Sequence, residues 1–93
     1  RPIGKWGRMH RAYLEETNPH LLNHLILTGR LHTYLADLNE QAQNRRRLII
    51  KKMAAAEGVT EDLKRRSQRE WVRGMNSIVN RAEESVKHEL IYT

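Results

Sequence analysis

The chain has 93 residues, no cysteine and a formal net charge of +6. The absence of cysteine excludes disulfides and thiolate metal sites, and no apolar run approaches the ~20 residues of a membrane span, so a cytoplasmic protein with no membrane partner is expected. A single domain of this length buries roughly two thirds of its unfolded surface, a marginal core that a partner or a homodimer would reinforce.

Arg1 stands where a start methionine would, and no signal-peptide pattern follows it, so a native N-terminal segment is expected ahead of it. Gly4-Lys5-Trp6-Gly7 reads as a loop, and Met9, Tyr13 and Leu14 then predict a first short helix, with Trp6 docked on the rest of the fold. Asn18-Pro19 has the order of an N-cap followed by a first helical residue. Leu21, Leu22, Leu25 and Ile26 give a second short helix that Gly29 can end. Residues 21–38 match a helix-turn-helix only weakly, because Leu25 stands where close crossing needs a small side chain.

Leu31, Leu35, Leu38, Ala42, Ile49 and Met53 keep to one stripe of a long third helix. Glu57-Gly58-Val59-Thr60 then reads as a tight turn: Gly58 suits a left-handed helix end, and Thr60 with Glu61 and Asp62 suits a helix start. Trp71, Met75, Ile78, Ala82, Val86 and Leu90 form the stripe of a fourth helix, in which Trp71 reads as core or interface rather than as a base-stacking residue. The expectation is one all-α domain over residues 1–93, with helices over about 7–17, 19–28, 30–57 and 61–92. The two short helices pack on a long antiparallel hairpin, with Leu35, Leu38, Ile49, Trp71, Met75 and Ile78 in the core or at an interface. At 1.5 Å per residue the hairpin arms run roughly 40 and 45 Å, so the shape should be elongated.

Charge placement points to a polyanion. Arg45, Arg46, Arg47, Lys51 and Lys52 lie in a stretch without an acid between Glu40 and Glu57, so their own helix cannot neutralise them and a bare phosphate-holding patch is expected. On the fourth helix, Arg66, Arg69, Arg73, Asn76 and Asn80 fall within about 80° of one another, opposite the Trp71 stripe. Arginine reads guanine or grips phosphate, and asparagine reads adenine, so this face suits double-stranded DNA. Glu61 with Arg65, Asp62 with Arg66 and Glu83 with Lys87 have the acid-first i,i+4 order of helix-supporting pairs.

Catalysis finds little support. His20 and His24 are one turn apart, with His10 and His32 elsewhere, but no HExxH, P-loop, GxGxxG or GxSxG motif accompanies them. Structural or surface roles suit these histidines better than metal ligation. The reading is a non-enzyme with no cofactor and no metal.

Four blocks in order carry a resemblance. They are Gly4-Lys5-Trp6-Gly7-Arg8-Met9 with Tyr13-Leu14; residues 25–31 with Leu35-Ala36-Asp37-Leu38; Glu57-Gly58-Val59-Thr60 with Leu63-Lys64; and Trp71-Val72-Arg73 with Met75-Asn76, residues 81–84 and residues 89–92. Together they resemble the transposon-encoded TnpV proteins over nearly the whole chain. The resemblance implies a small accessory protein of a bacterial mobile element, excisionase-like or architectural, and a stretch ahead of the Gly-Lys block. Arg73 and Asn76 fall within these blocks. The patch from Arg45 to Lys52 lies outside them, and Lys64-Arg65-Arg66 is more basic than the resemblance leads one to expect. The alternative is a helical interaction module, or a dimer, acting on a recombinase or another protein.

Overall fold

The computed structural model describes residues 1–93 and is all-α. Its helices are α1 (Gly4–Thr17), α2 (Pro19–Leu27), α3 (Leu31–Glu57), α4 (Glu61–Arg66) and α5 (Gln68–Val86), followed by a π-helical turn over Lys87–Ile91. No helix is long and apolar enough to cross a membrane.

Local chemistry sets the boundaries. The Asn18 side chain accepts from the Leu21 N–H (3.2 Å) with Pro19 opening α2, and Gly29 adopts φ 71° where α2 ends. Gly58 takes φ 72°, ψ 21°, and the Thr60 hydroxyl accepts from the Leu63 N–H (3.4 Å), so both expected turn signals act as such. The first helix starts at Gly4 rather than near Gly7, turning the expected loop into its first turn.

The long helix expected over residues 61–92 is interrupted at Ser67. This residue has φ −154°, ψ 97°, and its hydroxyl accepts from the Glu70 N–H (3.3 Å), capping α5 as a separate helix. A serine side chain competes for backbone donors in this way, and no proline or glycine is needed. The second departure is at the C-terminus. The Tyr92 N–H donates to the Lys87 carbonyl (2.8 Å), and the wider turn moves the apolar phase one residue on, so Ile91 is fully buried and Leu90 only half so.

α3 and α5 run side by side, and α1 lies on α3 and the π turn. Trp6 is buried with Ala42, Val86 and Ile91, flanked by Met9, Leu38, Ile49 and Leu90, so it docks on the long helices as expected. A second cluster, Leu14, Leu22 and Leu25 with Leu21, Leu31 and Tyr34, joins α1, α2 and the start of α3. Gly7 lets α1 approach closely: a Cβ there would sit 3.0 Å from the Leu35 carbonyl oxygen. Leu35 and Ile78 are fully buried, whereas Leu38, Ile49, Met75 and Trp71 are half-buried. Trp71 therefore lies at the edge of the fold, with the Lys64 ammonium 4.5 Å from its ring centroid.

The molecule measures 55 × 24 × 18 Å, elongated as the helix lengths require. α1 and α2 flank one half of the rod, called proximal below; the half that holds the Gly58 turn, α4 and the start of α5 is called distal.

Candidate nucleic-acid interface

Ten of the 17 basic residues but only four of the 11 acidic ones lie within residues 44–80. That distal stretch therefore carries the whole net charge of +6, and the rest of the chain is neutral. The asymmetry is invisible in the total and follows from where α3 folds back into α5.

Within the distal half, the arginines divide into those held by carboxylates and those left free. Arg45 makes two bonds to Glu89 (2.8 and 3.2 Å), and Arg46 reaches Glu83 (2.9 Å), which Lys5 also contacts (3.3 Å). The patch expected to be bare is thus partly neutralised, by acids on the returning C-terminal segment rather than on its own helix. These bonds hold the Glu89 carboxyl below its ordinary range, with Arg45 as the main cause. For Glu83, burial pushes upward most strongly, but the bonds from Arg46 and Lys5 together outweigh it and leave the group lowered. Arg66 is tied to Asp62 (3.3 Å), which also takes Arg65 (3.2 Å). Glu83 serves Arg46 and Lys5 instead of the expected Lys87, which pairs with Glu84 (3.3 Å), and Asp62 takes the place of Glu61 beside Arg65.

Arg47, Lys51, Lys52, Arg69 and Arg73 have no carboxylate partner, and Arg47 contacts only the Asn44 side chain (3.0 Å). Arg69, Arg73, Asn76 and Asn80 are exposed along α5, and the Arg69–Asn80 span covers roughly 16 Å of helix. The Ser67 break separates Arg66 from this row, so the expected five-residue face is a four-residue one. On α3, Arg47 and Lys51 lie about 40° apart and share a side, whereas Arg47 and Lys52 diverge by about 140°. Lys52 therefore does not join the same surface. Arg47 lines a groove between α3 and α5 that faces Met75 and Val79, and Asn76 follows Met75 on the outward turn of α5.

The histidines have other roles. His10 is buried; its Nδ1 donates to the Ile91 carbonyl (2.8 Å), and in the neutral ring Nε2 accepts from the Tyr34 hydroxyl (3.0 Å). His10 therefore ties α1 to α3 and to the C-terminal turn. Tyr92 stands against Tyr13, with ring centroids 5.4 Å apart. The phase of Tyr34 and the terminal position of Tyr92 gave no sign of either contact, since both depend on which helices meet.

Curated proteins of known function and solved structures both yield no match to the chain. The family model described as transposon-encoded protein TnpV matches residues 1–91, and the chain belongs to that family.

Proposed function

We propose that this transposon-encoded protein is a non-enzymatic, cytoplasmic accessory factor that binds duplex DNA of its element with the distal half of the rod. In this reading the outer face of α5 enters the major groove, with Arg69, Arg73, Asn76 and Asn80 toward base edges. Arg47 and Lys51 hold flanking phosphates. The observation that carries it is the concentration of the net +6 charge in residues 44–80, with six cations there free of carboxylate partners: Arg47, Lys51, Lys52, Lys64, Arg69 and Arg73. Such a localised field attracts and orients a polyanion, whereas the same charge spread evenly serves solubility alone. The exposed part of α5 is long enough to cross a major groove about 12 Å wide.

Fluorescence anisotropy with a labelled duplex from the element's end, and an unrelated duplex as control, tests the reading at two salt concentrations. Expected are binding that weakens steeply with salt, preference for the element's end, and loss of binding in Arg69→Glu/Arg73→Glu. No binding to either duplex at low salt, with the protein folded by circular dichroism, would sink it.

A further inference from the structure

Between α3 and α5 a groove of about 530 Å³ stays open on the distal half, lined by Gln43, Arg46, Arg47, Ile50, Met75 and Val79. Its floor is apolar, and Val72, one turn before Met75 on α5, is 42% exposed beside it. At the proximal end the seam between the same two long helices is covered, because α1 lays Trp6 against Ala42 of α3 and Val86 at the end of α5. That cover stops where Lys5, in the first turn of α1, meets Glu83 and through it Arg46, the first arginine of the open groove. The open groove is therefore the uncovered continuation of a seam that the fold already fills with a helix.

We propose that this groove binds an amphipathic helix of a protein partner, one whose apolar stripe is flanked by acidic residues. Charge complementarity selects the acidic flanks. Arg47 on the rim and Lys51 one turn further along α3 have no carboxylate, and the one acid near the rim, Glu83, is occupied by Lys5 and Arg46. A second copy of the chain is disfavoured, because docking there would bring its own strongly positive distal half against this one or offer only the neutral end, where the one unpaired acid beside apolar residues is Glu16, next to Met9, Tyr13 and Tyr92. A nucleic acid has no use for a floor of Ile50, Met75 and Val79, since phosphate and sugar gain nothing from aliphatic contact. A helix with anchors at i, i+3 or i+4 and i+7 fits such a groove in the ordinary helix-in-groove mode. The inference shares Arg47 and Lys51 with the DNA reading, but it rests on the apolar groove, and its readout contains no nucleic acid, so either reading can fail without the other.

The probe is a fluorescein-labelled helical peptide of about 18 residues, about 27 Å long, with leucines on one stripe and glutamates beside them. Its controls are a scrambled peptide of the same composition and the same stripe flanked by lysines. The intact protein is expected to bind the acidic-stripe peptide at least about tenfold more tightly than either control. Val79→Asp should abolish the difference, and Arg47→Glu, an exposed change that leaves the melting curve in place, should weaken acidic-peptide binding about tenfold. Equal binding of all three peptides would overturn the proposal, as would acidic-peptide binding that survives both substitutions. Sedimentation showing a dimer that Val79→Asp dissociates would also overturn it, by naming a second copy as the occupant.

Discussion

Arg81 closes both arms of its guanidinium on the Glu57 carboxylate, at 2.7 Å each, pinning the last residue of α3 to the C-terminal half of α5. The pair acts as a clasp on the distal half of the hairpin, where no short helix covers the seam. The bonds from Arg81 are the main reason that the Glu57 carboxyl lies below its ordinary value. Glu83 and Glu89 are lowered as well, through Arg46 with Lys5 and through Arg45.

These three shifts give stability a definite acid limb. A carboxyl lowered in the folded state contributes fully above its unfolded value, near ~4.3 for glutamate, and loses that contribution as pH falls through the lower folded value. The urea midpoint should therefore hold level from pH ~7 to ~5 and fall below pH ~4. Glu57→Gln should lower the plateau and make the acid limb shallower. An identical acid limb in the variant would show that this pair contributes nothing.

Gly74 and Val59 predict a packing coupling. A Cβ at Gly74 would sit 2.8 Å from Cγ2 of Val59, the buried residue of the turn. Gly74→Ala should destabilise by about 1–3 kcal/mol despite the better helix propensity of alanine. In the Val59→Ala background the same change should be near neutral, so a double-mutant cycle in urea is the check. Additive effects would refute the contact.

Much of this fold was legible because its signals are local. Gly58 with Thr60, and Asn18 with Pro19, each carry their reason within a few residues, and the docking of Trp6 followed from a lone large aromatic in a polar stretch. The Ser67 break was hidden because the apolar stripe begins only at Trp71, four residues past it, and no proline or glycine marks the polar stretch before it. The pairs Arg45–Glu89 and Arg46–Glu83 were hidden for a different reason. They join residues 44 and 37 positions apart, and only the register of the hairpin decides which acid meets which arginine. Arg45, Arg46 and Arg66 of the expected surface each pair with a carboxylate of the same chain.

Ser67 offers a test of that break. Ser67→Ala removes the acceptor for the Glu70 N–H and should cost about 1 kcal/mol, while Ser67→Asp should retain most of the stability. Urea denaturation of the two variants separates capping from a general intolerance of change at this site.

His10 predicts a larger loss. His10→Leu leaves the Ile91 carbonyl and the Tyr34 hydroxyl without their buried partner, a cost of about 1–3 kcal/mol. Hydrogen exchange should show the first protection lost at the C-terminal turn, because Ile91 is held by that bond as well as by packing against Trp6.

If duplex DNA is the partner, phosphate and base contacts separate by salt. Arg47→Gln/Lys51→Gln should reduce the slope of log affinity against log salt by about 2. Asn76→Ala should leave that slope unchanged and relax preference by about 1–3 kcal/mol at one base pair. Anisotropy titrations at several salt concentrations distinguish the two patterns.

A rod 55 Å long whose excess charge is concentrated in residues 44–80 is also an electric dipole, and near a charged surface it experiences torque as well as attraction. It would swing its Gly58 end toward a negative surface before any contact forms, and arrive with the α1–α2 end pointing away. Orientation would thus be set during approach, and the neutral end would be presented outward on every molecule that lands.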